Sequence, residues 1–120
     1  MRRVRTVLPF AQPQKSKYEV ISETGYDLDF DADLIRLSIV SQFGFDPYDI
    51  DDIPYPSYIW YVGALNGDTP LANTVYHRKL SPKEAKEQHL SAKAMEDRAR
   101  WQTYLKSVKY GTEYKDPFNH

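Results

Sequence analysis

The fold of this 120-residue chain is decided by residues 31–44, which read DADLIRLSIVSQFG. Asp29 or Asp31 is placed to cap a helix N-terminus, and Gly44 to end the helix in the left-handed conformation. The apolar residues between them recur at the spacing of one helical face. They are Ala32, Ile35, Ile39, Val40 and Phe43. The stretch therefore predicts a helix from Asp31 to Phe43.

This helix is apolar over more of its circumference than a normal stripe, because Leu34 and Leu37 widen the face. A helix of this kind is buried centrally or covered by a partner. We expect that so small a molecule does not cover the face unaided, and that other chains do.

Downstream, the densest aromatic cluster of the chain lies in a predicted short helix, Tyr58–Leu65, which we expect Ser57 to cap. Its members are Tyr55, Tyr58, Ile59, Trp60, Tyr61 and Val62. Thr69-Pro70 has the form of an N-cap followed by proline at the first helical position, and it predicts a third helix. The apolar face of that helix is Leu71 and Val75, extended by the stem of Arg78.

The last predicted helix starts at Ser81-Pro82, where Glu84 completes a capping box. No Gly or Pro follows up to residue 110, which predicts one uninterrupted helix anchored by Trp101 and Leu105. Upstream, Tyr18–Ile21 is typical of a brief strand. The fold class is therefore mainly α: about four helices with a long C-terminal helix. We expect a flexible basic arm over residues 1–17, one helical domain over 18–110 and a loosely ordered tail over 111–120.

Composition excludes several classes of protein. The chain has no Cys, so disulfide scaffolds, thiolate zinc sites and cysteine nucleophiles are excluded. No apolar run approaches the roughly 18 residues of a membrane-spanning helix, and we expect no membrane partner. A net charge of -1 likewise gives no reason to expect nucleic acid. We interpret the chain as an intracellular protein.

Acidic and basic residues are strongly segregated along the chain, which the net charge of -1 does not show. Residues 1–18 carry five bases and no acid, residues 19–52 carry ten acids and one base, and residues 78–115 carry ten bases and five acids. Such a chain can fold its ends onto its centre or pair head-to-tail with copies of itself. Solvated faces without any pairing role are the remaining interpretation.

The sequence contains no motif for catalysis or metal binding. The run from Asp27 resembles the start of a calcium loop, but its sixth and twelfth positions are Ala32 and Ser38 instead of Gly and Glu. The His residues are dispersed, and neither a Gly-x-Ser-x-Gly elbow nor a phosphate-binding glycine loop is present. We expect no cofactor, no metal and no enzymatic activity.

The C-terminal helix mixes Lys and Arg with Trp101, Tyr104 and Tyr110. Aromatic rings among cations can stack on bases and neutralise phosphates. The simpler interpretation is a solvated helix with an anchoring Trp and pairs such as Glu96–Arg100, because Glu96 and Asp97 dilute the basic patch.

The order of these segments resembles a known family. An apolar helix ends in Gln42-Phe43-Gly44, an aromatic helix ends in Gly63-Ala64-Leu65, and Asp68-Thr69-Pro70-Leu71 opens a helix that reaches His77-Arg78. A charged helix with Arg98-Ala99-Arg100-Trp101 follows. This pattern, over residues 27–104, is similar to that of the tail assembly chaperones of long-tailed bacteriophages, which are encoded between the tail-tube and tape-measure genes.

The resemblance implies a self-associating chaperone that coats the tape-measure protein until tail-tube subunits polymerise around it. It implies a location in the host cytoplasm and absence from the mature virion. The residues we expect to bind partners are Leu34, Ile35, Ile39, Phe43, Tyr58, Trp60, Tyr61 and Trp101. A small phage nucleic-acid-binding or regulatory protein is the alternative suggested by the basic ends, and a structural tail or connector component is another.

Overall fold

A computed structural model describes residues 14–49 and 53–118 of the chain. The predicted mainly helical fold with a long C-terminal helix is confirmed, and this part of the chain contains no strand. Most of the predicted N-terminal arm, from residue 1 to 13, lies outside the described residues. In chain order the elements are α1 (Lys17–Thr24), α2 (Ala32–Phe43), a 3-10 helix (Pro47–Asp49), α3 (Tyr55–Gly63), α4 (Pro70–Lys79), α5 (Pro82–Glu87) and α6 (Ala92–Tyr110).

Helix α2 is the centre of the first core cluster. Ile35 and Ile39 are fully buried, and Val62 of α3 and Leu71 of α4 close over them. Our expectation that other chains cover this face is therefore wrong for Ile35 and Ile39, because α3 and α4 of the same chain cover them. The sequence pattern of α2 alone does not indicate that two short helices, α3 and α4, pack against it.

The two ends of α2 differ from each other. Gly44 ends the helix as predicted, at a φ of 78°, and its N–H donates to the Val40 carbonyl at 3.0 Å. Asp31 occupies the N-cap position, but its side chain makes no capping hydrogen bond. Its carboxylate instead accepts from the backbone N–H of Asp27 at 3.0 Å and from Arg78 of α4.

Two polar side chains of α2 attach the neighbouring helices. The buried Ser38 hydroxyl accepts from the backbone N–H of Leu71 at 2.9 Å, at the start of α4. The Gln42 amide donates to the Ala64 carbonyl at 2.9 Å and accepts from the Asn66 N–H at 2.6 Å, so it fastens the C-terminal end of α3. These bonds fix where α3 and α4 lie on α2.

Two predictions, for the segments that form α1 and α3, are wrong. The segment Tyr18–Ile21 belongs to α1 and is not a strand, because Ser16 and Glu19 form a capping box that starts a helix. Helix α3 begins at Tyr55, with Pro54 at the N-cap position, and not after Ser57. Pro56, in the first turn, favours this early start because its fixed φ suits the beginning of a helix.

The predicted uninterrupted C-terminal helix is divided in two. His89 adopts a φ of 53°, and Ser91 then caps α6 by accepting from the Ala94 N–H at 3.1 Å. Both predicted caps upstream are confirmed, with Thr69 accepting from Ala72 and the Ser81–Glu84 capping box complete. The break therefore separates α5, which ends at Glu87, from α6, which begins at Ala92.

A second core cluster forms between α1 and α6. Ile21, Trp101 and Leu105 are buried in it, and Phe30 stacks on Tyr104 with ring centroids 4.2 Å apart. Tyr114, beyond the end of α6, meets Phe30 edge-on at 5.3 Å. Helix α4 packs against both α2 and α6, and it thereby joins the two clusters.

Candidate functional site

Helix α3 lies at the surface of the molecule without a single charged residue. Its sequence is YPSYIWYVG, and only Val62 is buried. Tyr55 is 66% exposed, Trp60 63% and Ile59 38%. A helix that is apolar on its outer side as well as its inner side is normally covered. This helix is therefore the strongest candidate for an interaction site.

The Trp60 ring is held by a set of aromatic neighbours. It meets Tyr61 at 5.2 Å and Phe43 of α2 at 6.5 Å between ring centroids. Phe43 and Phe45 each contact Tyr61 edge-on at 5.1 Å. These T-shaped contacts fix the rings in place, so the exposed indole is a preorganised contact element and loses little freedom on binding.

We use the name aromatic surface for the exposed apolar side chains of α2 and α3, together with the half-buried Phe43 that contacts Trp60. On α2, Leu37 is 54% exposed and Val40 39%. Val40 lies one helical turn before Phe43, which contacts Trp60. The aromatic surface is defined by Leu37, Val40, Phe43, Tyr55, Ile59 and Trp60.

Apolar grooves adjoin α3 at two positions. One has a volume of about 380 Å³ and includes Ile59 together with Val20 and Ile21 of α1. Another, of about 250 Å³, is formed by Tyr55 and Tyr58 against the 3-10 helix. Each offers a recess for a side chain of a docked molecule.

The phenols near α3 add no charge to it. Burial raises the pKa of Tyr58, and the nearby Tyr48 and Asp29 raise it further. Burial also raises the pKa of Tyr26, which lines the larger groove. Both phenols are therefore neutral near pH 7, so this side of the molecule presents uncharged rings.

The eight predicted partner-binding residues do not share one surface. Ile35, Ile39 and Trp101 are interior residues, and their side chains offer almost nothing to a partner in this conformation. The half-buried residues of the first cluster are Leu34, Phe43, Tyr58 and Tyr61. Trp60 is the one member that is mostly exposed.

Trp101 also lies apart from the others, because it belongs to the second cluster with Ile21 and Leu105. Sequence reasoning omitted Leu37, Val40, Tyr55 and Ile59 from the candidates. The signal that identifies α3 is the absence of any charge from residue 53 to residue 67. That signal is stronger than the aromatic count on which the prediction relied.

A polar cluster around Arg78 is the other feature with possible chemistry. The Arg78 side chain is 1% exposed and lies between two carboxylates. Its Nη2 is 2.8 Å from Asp31 Oδ1, and its Nε is 2.9 Å from Asp97 Oδ2. Its remaining N–H donates to the Gly25 carbonyl at 3.0 Å, and the guanidinium lies 4.3 Å from the Trp101 ring centre. Burial opposes the charge, but the bonds to both carboxylates prevail, and the pKa of Arg78 is raised.

Every N–H of the Arg78 guanidinium has an acceptor within the chain. A group so fully paired has no donor left for a substrate. The cluster therefore joins α2, α4 and α6 and does not form a reactive site.

Several acidic and basic side chains elsewhere also form hydrogen bonds or ion pairs within the chain. Asp27, the start of the calcium-loop-like run, accepts from the Phe30 N–H at 2.8 Å and from the Tyr104 hydroxyl at 3.0 Å. In α6, Arg98 donates to the His77 carbonyl at 2.6 Å and Arg100 pairs with Asp116 at 3.1 Å. The exposed cations of α6 that face solvent are Lys93, Lys106 and Lys109.

Within residues 14–49 and 53–118, no three metal-ligating side chains come together. No helix in the described part of the chain is long and apolar enough to cross a bilayer. No protein-family model, curated protein or solved structure matches this chain.

Proposed function

We propose that this protein is a tail assembly chaperone of a long-tailed bacteriophage, a binding protein without catalytic residues. In this role it self-associates and holds the elongated tape-measure protein until the tail-tube protein polymerises around it. It acts in the host cytoplasm and is absent from the mature virion. The observation that carries the proposal is the uncharged, exposed helix α3.

The aromatic surface has the properties that a holding protein needs. Tyr and Trp give large contact areas with few rotatable bonds, and they are enriched at interfaces. Here Tyr55 and Trp60 supply those rings on a helix fixed by Gln42. A long client with repeated apolar side chains can occupy such a surface without a unique sequence.

The sequence resemblance supports the proposal in a different way. Its most specific motif places Thr69 as the α4 cap, Leu71 in the first core cluster and Arg78 in the buried ion-pair cluster. All three build the fold and none lies on the aromatic surface. The motif therefore supports a shared architecture, whereas the surface supports the holding role.

The direct test is size-exclusion chromatography with fragments tiled along the long helical protein encoded downstream in the same genome. We expect at least one fragment to elute earlier together with this protein, and polar fragments of equal length to elute unchanged. Failure of every fragment to shift would contradict the proposal. A tail-tube gene upstream and a very long helical protein downstream are the expected genomic neighbours.

Localisation separates this proposal from a structural role in the tail. Mass spectrometry of purified virions should find no peptides of this protein, while infected-cell lysate should contain them. Stoichiometric recovery from virions would instead indicate a tail or connector component.

A further inference from the structure

We propose that residues 4–10 of the chain's own N-terminal arm dock in the larger groove, the one that includes Ile59, with Leu8 and Phe10 as the anchoring side chains. The inference concerns contacts within one chain and goes beyond the proposed function. It follows from the apolar side chains that line the groove, from the place where the described part of the chain begins and from the charge of the arm.

The larger groove adjoins both core clusters. Ile21 on its α1 side belongs to the second cluster, whereas Tyr26 and Leu28 pack against the first. Val20 of α1, which also lines the groove, is 43% exposed, and Ile59 of α3 is 38% exposed. Apolar side chains that enter the groove therefore remove apolar surface of both helices from water, which is favourable.

The N-terminal arm joins the described chain at the groove itself. Lys15, the second described residue, lines the groove, which then follows one face of α1 from Lys17 to Thr24. A helix of 8 residues is about 12 Å long. The stretch from Leu8 to Lys15 spans up to roughly 23 Å when extended. Leu8 can therefore reach any part of the groove within its own chain.

The arm carries apolar side chains in a pattern that suits the groove. Residues 4–10 read VRTVLPF. Leu8 precedes a proline, which favours extended backbone at that residue. Alternate side chains of an extended segment share a face, so Leu8 and Phe10 lie on one side of it and Val7 on the other. A groove of about 380 Å³ has room for two such side chains.

The arm and the surroundings of the groove have opposite net charges. Residues 1–13 carry three Arg and no acid. Residues 14–30, which form α1 and most of the groove, carry four acids and two bases, a net charge of -2 that already includes Lys15 and Lys17. Opposite net charges favour the encounter of the arm with this region.

A short tether favours docking within the same chain over docking on a second copy. Four residues separate Phe10 from Lys15. A short linker holds a tethered group at an effective concentration on the order of millimolar, which exceeds ordinary protein concentrations. The docked arm covers Ile59, so any partner that uses this side chain of α3 must displace the arm.

The rate of cysteine labelling measures whether the groove is covered, because the chain has no Cys of its own. The Val20→Cys variant places a thiol in the groove, and the Met95→Cys variant places one at a 46% exposed position of α6. Both are made in the full chain and labelled with a maleimide. We expect added Leu8→Ser and Phe10→Ser to raise the rate at least about fivefold for Val20→Cys and to leave the rate for Met95→Cys unchanged.

Two further variants control the measurement. Val7→Ser removes an apolar side chain from the opposite face of the arm and should leave the labelling rate of Val20→Cys unchanged. Ile59→Cys, on the α3 side of the groove, should give the same result as Val20→Cys. Agreement of the two positions shows that neither thiol has itself altered the groove.

Equal labelling rates with and without Leu8 and Phe10 would overturn the inference and leave the proposed function, which is tested by fragment binding. An equal rise for Met95→Cys would trace the effect to a loosened fold and would also overturn it. Protection of Val20→Cys that increases with protein concentration would assign the groove to the arm of a second copy and overturn docking within the chain.

Discussion

The two core clusters of this protein are built in opposite ways. In the cluster between α1 and α6, apolar residues such as Trp101 face inward and the outer side of α6 carries Lys and Glu. In the cluster around α2, Ile35 and Ile39 face inward, yet the outer helix α3 carries no charge. The α6 side is what a solvated helix requires. The outer side of α3 instead carries aromatic rings, where a solvated helix carries charges. The inward-facing residues of both clusters therefore stabilise the fold, whereas the outer residues of α3 are free to bind.

The largest expected effect comes from breaking the inner side of α2. Ile39→Asp places a carboxylate at a fully buried position and should cost about 4 kcal/mol or more, enough to unfold a domain of marginal stability. Leu37→Asp, two residues away and 54% exposed, is the matched control and should retain the fold. Far-ultraviolet circular dichroism with urea titration compares them. Equal loss of helix in both variants would contradict the assignment of the two faces.

Removal of the Arg78 cation, which joins the two clusters, should cause the next largest loss in the free energy of unfolding. Arg78→Met leaves Asp31 and Asp97 without their shared partner, and loss of one member of a buried ion pair costs about 3–5 kcal/mol. Urea unfolding measures the change. Arg36→Met removes a more exposed pair and should leave the unfolding midpoint almost unchanged. A small effect for Arg78→Met would show that the clusters are joined mainly by apolar packing.

Two helix-ending glycines give a smaller, graded comparison. Gly25 and Gly44 have φ values of 82° and 78°, so alanine is strained at both. At Gly44 the added Cβ meets open space, and we expect a cost of about 1 kcal/mol. At Gly25 it would lie 2.8 Å from Val75 Cγ1 of α4, which should add about another 1 kcal/mol or more. Thermal unfolding of the two variants measures the difference, and equal midpoints would exclude close packing between the end of α1 and α4.

Acid should weaken the surface pair beside the aromatic surface only slightly. Hydrogen bonds from Arg36 and from the Tyr48 N–H lower the pKa of Asp46 below 3.8 in the folded protein. Its contribution to stability is therefore complete above pH 3.8 and is lost as the pH falls through the lowered folded pKa. Asp46→Asn should reduce stability at neutral pH and converge with wild type in strong acid. A constant difference down to pH 2 would contradict this.

The sequence was sufficient to predict most of the fold, because local signals decide it. Helical periodicity located α2, and the Thr69 and Ser81 caps located α4 and α5. The break at His89 was missed because nothing in the Gln88–His89 pair excludes a helix, although Ser91 is a visible cap. The short helix α1 was predicted as a strand because Val20 and Ile21 favour strands, although Ser16 and Glu19 form the capping box of a helix.

The candidate site was harder to predict than the fold. Periodicity identifies which α2 residues share a face, but only tertiary packing decides that Ile39 is enclosed and Leu37 is not. Ser38 and Gln42 looked unremarkable in sequence, yet their hydrogen bonds position α4 and α3. Exposure of Trp60 and burial of Trp101 likewise depend on long-range contacts.

We propose that the exposed face of α3 serves binding and contributes little to stability. If the proposed function is right, a tape-measure fragment binds the wild-type protein, and isothermal titration calorimetry of that fragment with the double variant Tyr55→Ser and Trp60→Ser is the decisive test. We expect the double variant to bind at least about tenfold more weakly than wild type, with an unchanged unfolding midpoint, because exposed aromatic anchors dominate interfaces but contribute little to the core. Wild-type affinity in that variant would contradict the claim.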